Sequence, residues 1–201
     1  MTWIMFDYGE VISRPQPRRD LAALARVAGV TVARLRDAYW APRPGYDTAE
    51  LTAAAYWQEV GRRLGRSWDG DRTGELVRLD VASWLHVHPG TTALIEDLAA
   101  AGHRLALLSN APPELAEAVA ELPVARLFEH ALFSCYLAAA KPDPGCFGQA
   151  LARLGARASD VTFVDDRPAN VAAAAQLGMR VVHFTGHASA RVQLAGMLDV
   201  R

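Results

Sequence analysis

Five short apolar runs punctuate the chain, and three of them stop abruptly on polar residues. Thr2 to Phe6 is almost wholly apolar and gives way to Asp7-Tyr8-Gly9. Arg104 to Leu108 leads into Ser109-Asn110, and Val161 to Val164 leads into Asp165-Asp166. Weaker runs cover Ala131 to Ser134 and Met179 to Phe184. A short continuous apolar run ended by a turn signal predicts a strand buried on both faces. Helical periodicity fills the gaps: Thr91 to Ala101, Pro113 to Leu122, Cys146 to Leu154 and Pro168 to Leu177. Gly102, Gly155 and Gly178 are the expected stops, and Pro112-Pro113 sits where a first helical turn tolerates proline. Alternating helix and strand from Thr91 onward predicts an α/β fold, with a parallel sheet covered by helices on both faces.

Residues 14–88 follow a different pattern. They hold no convincing strand, only amphipathic stretches at Arg18 to Ala28, Thr31 to Trp40, Thr48 to Leu64 and Gly74 to Trp84. Breakers at Ala41-Pro42-Arg43-Pro44-Gly45 and Ser67-Trp68-Asp69-Gly70-Asp71 separate them. This predicts a helical module inserted after the first strand, so that 1–13 and 89–201 form the α/β core and 14–88 the insert. Its aromatics Tyr39, Trp40, Tyr46, Tyr56 and Trp57 are expected to pack its interior, with one or two open to a substrate, and Arg43 to be a solvated loop residue rather than a contact to an anionic substrate.

Composition narrows the function. Hydrophobic residues make up 51% of the 201 positions and charged ones 21%, enough apolar material for a full core. A net charge of −1 offers no footprint for nucleic acid or an anionic membrane, and no apolar run reaches the ~20 residues that span a bilayer. Met1 to Asp7 carries no basic leader or cleavage site, so no signal peptide is expected. Cys135 and Cys146 cannot form a disulfide framework, which points to a reducing, cytoplasmic setting and to two buried small hydrophobes. Lys141 is the single lysine beside 20 arginines, and the two are not interchangeable where a compact charge is needed.

In an open parallel sheet, the carboxyl ends of the strands line one edge, where ligands bind. Asp7, Ser109-Asn110 and Asp165-Asp166 would converge there, and Lys141, at the start of the helix after the third core strand, could reach the same edge. Asp7 can serve as a carboxylate nucleophile that forms an acyl phosphate. Attack of one anion on another needs neutralisation. Mg2+ is suited by Asp7, Asp166 and the Gly9 backbone carbonyl, and Lys141 adds a further positive charge. Ser109 and the N–H groups opening the next helix can hold phosphoryl oxygens. Adjacent carboxylates ending a buried strand repel each other unless a cation is present, so Asp165-Asp166 is the most diagnostic local feature.

Four blocks resemble the motifs of haloacid dehalogenase-like hydrolases, in the family's order: Phe6-Asp7-Tyr8-Gly9-Glu10-Val11-Ile12, Leu107-Leu108-Ser109-Asn110, Lys141-Pro142-Asp143 and Phe163 to Val171. The resemblance covers 1–13 and 89 to about 187, and the insert matches the position of that superfamily's C1 cap. It implies a Rossmann-like core with an inserted α-helical cap. It also implies that Asp7 is nucleophile and metal ligand, with the Gly9 carbonyl and Asp166 completing the Mg2+ site. Ser109 and Asn110 would then bind phosphate, Lys141 act in catalysis, and Asp165 and Asn170 stand behind the ligands. The acidic pair favours a phosphatase of a small phosphorylated metabolite over a 2-haloacid dehalogenase. One departure matters: family phosphatases usually carry an acid/base aspartate two residues after the nucleophile, and this chain has Gly9. Turnover would then be slow, or absent in a non-catalytic protein that binds metal and anion. Glu10, next in the turn, is expected to point elsewhere. His86 and His88 are read as linker residues rather than metal ligands. Substrate identity and oligomeric state are not encoded in these motifs.

Overall fold

A computed structural model describes residues 2–198; Met1 and 199–201, the outer ends of the expected core segments, lie outside the described residues. Five strands, β1 (Trp3–Phe6), β2 (Arg104–Ser109), β3 (His130–Phe133), β4 (Val161–Asp165) and β5 (Arg180–His183), form one sheet. All neighbours are parallel, in the order β3-β2-β1-β4-β5. Alternate residues of each central strand feed two separate cores. Ile4, Phe6, Leu105, Leu107 and Val164 pack on one face. Trp3, Met5, Ala106, Leu108 and Phe163 pack on the other. Burial on both faces is why these strands read as continuous apolar runs rather than alternating ones.

Five helices follow β1: α1 (Arg18–Ala28), α2 (Val32–Trp40), α3 (Arg43–Asp47), α4 (Ala53–Leu64) and α5 (Gly70–Trp84). They bury their own cluster, including Leu24, Tyr39, Tyr56, Trp57 and Leu76. Tyr46 stacks on Tyr56 with ring centroids 4.3 Å apart. The chain enters and leaves this bundle side by side. A Ser13–Val87 antiparallel bridge is flanked by Arg14 N–H to His86 O (2.6 Å) and His88 N–H to Ile12 O (2.7 Å). The core helices are α6 (Pro89–Ala100), α7 (Pro113–Ala120), α8 (Ser134–Leu137), α9 (Pro144–Leu154), α10 (Pro168–Gln176) and α11 (His187–Leu198).

Several boundaries differ from expectation, for local reasons. The proline-rich breaker at 41–45 is itself the start of α3, because proline is tolerated in a first turn. The breaker at 67–71 contains the cap of α5: Asp69 accepts the Arg72 N–H at 2.8 Å. Helix α4 starts at Ala53 rather than near Thr48, with Thr52 accepting the Ala55 N–H. Ser134 opens α8 instead of ending β3. Helix α11 has no strong periodicity to announce it, and of its residues only Ala190 and Leu194 are buried. His86 lies 2.5 Å from Asp20, and His88 caps α6 by accepting the Gly90 N–H, so both serve the junction. Cys135 and Cys146 are buried free thiols.

Candidate active site

The strand register brings the polar ends together. Phe6 pairs with Leu107 on one side and Val164 on the other, so Asp7 stands level with Leu108 and Asp165. The Asp7 N–H donates to Val164 O at 2.8 Å. Asp7 lies where the strand order reverses: β2 and β3 continue to one side of β1, β4 and β5 to the other, the usual place for a ligand crevice. Asp7, Gly9, Ser109, Asn110, Lys141, Asp166 and Asn170 all line one cleft of about 80 Å3.

Lys141 is the hub. Its Nζ donates to Asp7 Oδ1 (2.7 Å), Asp165 Oδ2 (2.8 Å) and the Leu108 carbonyl (2.7 Å), and its side chain is 1% exposed. Burial opposes its charge, but Asp7 and Asp165 outweigh that and hold its pKa above the usual lysine value. It does not start a helix as expected. It lies in the loop three residues ahead of α9, and Asn110 anchors it there: Asn110 Nδ2 donates to Lys141 O (2.8 Å) and Lys141 N–H to Asn110 Oδ1 (2.9 Å). The Asn110 side chain thus fixes the Lys141 loop, while the residue itself lines the cleft.

The acidic pair divides its labour. Asp165 is fully buried and its oxygens are taken by Lys141, the Arg167 N–H (2.8 Å) and Asn170 Nδ2 (2.9 and 3.0 Å). Asp166 is partly exposed and faces the cleft. Asp7 Oδ1 accepts from Lys141 and from the Tyr8 N–H (2.7 Å), which leaves Oδ2 without a protein donor among the described residues. Burial pushes Asp7 up to about 7, with Lys141 lowering and Asp165 raising it. Burial, then Asp165 and Glu10, also push Asp166 up.

Ligand-type oxygens of Asp7, Asp165 and Asp166 all lie within 4.8 Å of one another. Three carboxylates against one ammonium leave two negative charges, which a hard divalent cation would balance. The donor set thus fits such an ion, with Asp7 and Asp166 as available ligands and Asp165 spent on support. At Gly9, which lines the cleft, an added Cβ would meet nothing within 4 Å, so that position has open space rather than a packed wall around it.

The insert roofs the cleft, and the sequence pattern marked neither Asp47 nor Trp84 as part of its lining. Trp40, Arg43, Asp47 and Trp84 all line it. Arg43 is not solvated but 3% exposed. It pairs with Asp47 Oδ1 (2.7 Å) and Asp80 Oδ2 (3.2 Å) and donates to the Tyr39 hydroxyl. The i,i+4 spacing to Asp47 was a legible signal; the partner on α5 was not. Burial pushes Asp47 and Asp80 up even so, with Arg43 pulling them back. The roof is tied down by Tyr46 OH to Glu114 Oε2 (2.8 Å), Ser134 Oγ to Asp47 O (2.5 Å) and Tyr8 OH to Trp84 O (2.9 Å).

A model of the haloacid dehalogenase-like hydrolases matches residues 12–178. The chain is 34% identical to a phosphoglycolate phosphatase of Rhodospirillum rubrum over 148 residues, 68% of this chain and 61% of that protein. It is 29% identical to flavin mononucleotide hydrolase 1 of Arabidopsis thaliana over 125 residues, 61% of this chain and 49% of that one. It therefore spans only about half to three-fifths of these curated relatives. Among solved structures, a HAD-like family hydrolase from Porphyromonas gingivalis superposes with a TM-score of 0.79 at 21% identity, covering 100% of this chain and 99% of that one. A HAD family enzyme of Bacteroides thetaiotaomicron, solved with magnesium and inorganic phosphate, gives 0.75 at 16% identity, covering 90% and 93%. At these identities the structures attest the fold. No helix among the described residues is long and apolar enough to cross a membrane.

Proposed function

The chain belongs to the haloacid dehalogenase-like hydrolases, and from that premise we propose that it is a Mg2+-dependent phosphatase acting on a small phosphorylated metabolite in the cytosol. The observation that carries this reading is the Asp7–Lys141–Asp165 cluster beside a partly exposed Asp166 that lines the same cleft. One carboxylate oxygen is fixed by donors and the other left open, in a site two positive charges short of neutrality. The relative named a phosphoglycolate phosphatase supports phosphate-ester chemistry.

Asp7, Asp166 and the Gly9 carbonyl would hold Mg2+, which when bound neutralises the phosphoryl group and the carboxylates around it. Lys141 and the Tyr8 N–H grip Asp7 Oδ1 and so aim Oδ2 into the cleft. Oδ2 attacks phosphorus while the ester P–O bond breaks, giving an aspartyl phosphate and an alkoxide. The alkoxide takes its proton from water, because Gly9 offers no acid. A second water attacks the aspartyl phosphate, the Asp7 O–P bond breaks, and the carboxylate and inorganic phosphate are restored. Ser109, a buried residue at the end of β2 that lines the cleft, would bind the phosphoryl oxygens; the opening of α7 adds little, because Pro112 and Pro113 have no N–H and those of Leu115 and Ala116 go to Pro112 O. Residues 14–88 act as a cap that excludes bulk water and sets specificity.

The test is Mg2+-dependent release of phosphate from an activated aryl phosphate by the natural chain and by Asp7→Asn. Turnover abolished by the substitution is the expected result. Binding of a phosphate analogue with no turnover in either protein would instead establish the non-catalytic reading that Gly9 favours. Chloride release from a 2-haloacid would establish a dehalogenase.

A further inference from the structure

The cleft around Asp7 is small. At about 80 Å3 it holds a phosphoryl group and little more, so an ester's organic part must lie elsewhere. A second cavity of about 240 Å3 adjoins it, and the two share Glu10, Trp40 and Trp84 as lining. The rest of that lining is chiefly apolar, with Leu21 and Leu24 from α1 and Val32, Leu35 and Tyr39 from α2. Trp40 and Val32 are each 38% exposed although both are large and apolar, as expected of surfaces that a ligand covers.

Charge narrows the ligand further. Lys141 is spent on Asp7 and Asp165, and Arg43 on Asp47 and Asp80. Arg167, exposed at the cleft, favours the charged form of Asp47. In the second cavity the charged residues are Glu10 and Arg36, both on exposed positions. Among the described residues no buried cation is left for a second anionic group. We propose that this cavity is the subsite for the leaving group, and that the substrate is a monophosphate ester of an uncharged alcohol with an apolar body lying against Trp40 and Trp84. The proposal rests on the phosphatase reading for its substrate, and a binding assay separates the two.

The probes are n-alkylphosphonates, whose P–C bond this chemistry does not break, titrated into the Mg2+-loaded protein with tryptophan fluorescence as the signal. Each buried methylene should tighten binding about fourfold (about 0.8 kcal/mol), hence roughly 10²-fold from ethyl to hexyl. Leu21→Trp, which fills the cavity, should abolish that gain. Val32→Trp, on the exposed start of α2, should do the same and serves if the first variant melts early. Propylphosphonate should also bind more tightly than 3-phosphonopropionate. A flat chain-length series, no binding at any length, or preference for the carboxylate would overturn the subsite. A flat series with turnover of ethyl phosphate would leave the phosphatase standing. A rising series without turnover of any ester would remove the phosphatase and leave the subsite.

Discussion

Placing a carboxyl at Gly9 should supply the proton transfer that the site lacks. The position tolerates it. Gly9 does not use the left-handed backbone region, and a Cβ there has no neighbour within 4 Å, so Gly9→Asp should change stability by only about 0.5 kcal/mol. The new carboxyl would face a cleft already lined by Asp7 and Asp166, and like charge would raise its pKa toward working pH, where an acid/base group is most effective. General acid–base catalysis is worth about 10²–10⁴-fold, or about 3–5 kcal/mol of barrier. That gain should fall on alkyl esters, whose alkoxide leaves poorly, and be below about tenfold on p-nitrophenyl phosphate, whose phenolate needs no proton. The assay is Mg2+-dependent phosphate release from both ester types by the natural chain and Gly9→Asp, with a thermal melt of each. A folded variant with no gain, or with the same gain on both esters, would refute the idea that only the proton shuttle is missing.

Other residues have distinct signatures. Asn110→Ala releases the Lys141 backbone and should lower kcat by about 10²-fold with KM little changed, as misplacement by ~1 Å can do; an unchanged kcat would deny it the positioning role. Arg43→Ala strands Asp47 and Asp80 inside the roof and should cost about 3–5 kcal/mol by denaturant unfolding; a loss below about 1 kcal/mol would contradict the buried pairing. Without divalent cation, Asp7 has a folded-state pKa raised from 3.8 to about 7. The folded state then holds its proton more tightly, so this contribution to stability is complete below about pH 4 and is lost as pH rises through about 7. In EDTA, the Tm of the natural chain minus that of Asp7→Asn should therefore fall across that window and recover when Mg2+ is added at pH 8; a rising difference would contradict the burial of that charge.

What could be read from the sequence follows from how each feature is encoded. Asp7, Ser109 and Asp165-Asp166 were legible because each ends an apolar run, and parallel strands bring such ends to one edge. The boundary errors fell where a proline or an Asx cap both breaks one helix and begins the next, as at Pro42 and Asp69. Long-range polar pairing left no local trace. Arg43 finds Asp80 across 37 residues, so it looked solvated, and Asn110 finds Lys141 across 31, a positioning role that no local pattern announces. The roof of the cleft was hidden for the same reason. Trp40 and Trp84 come from different helices, and only the folded bundle sets their rings 6.2 Å apart.

In this mechanism Asp7 carries the phosphoryl group during turnover. Rapid acid quench of the protein reacting with a 32P-labelled monoester and Mg2+, followed by peptide mapping, tests it directly. The expected result is a hydroxylamine-labile label on the peptide containing Asp7, absent without Mg2+ and absent in Asp7→Asn. Steady phosphate release with no trapped label, or label on another residue, would contradict it.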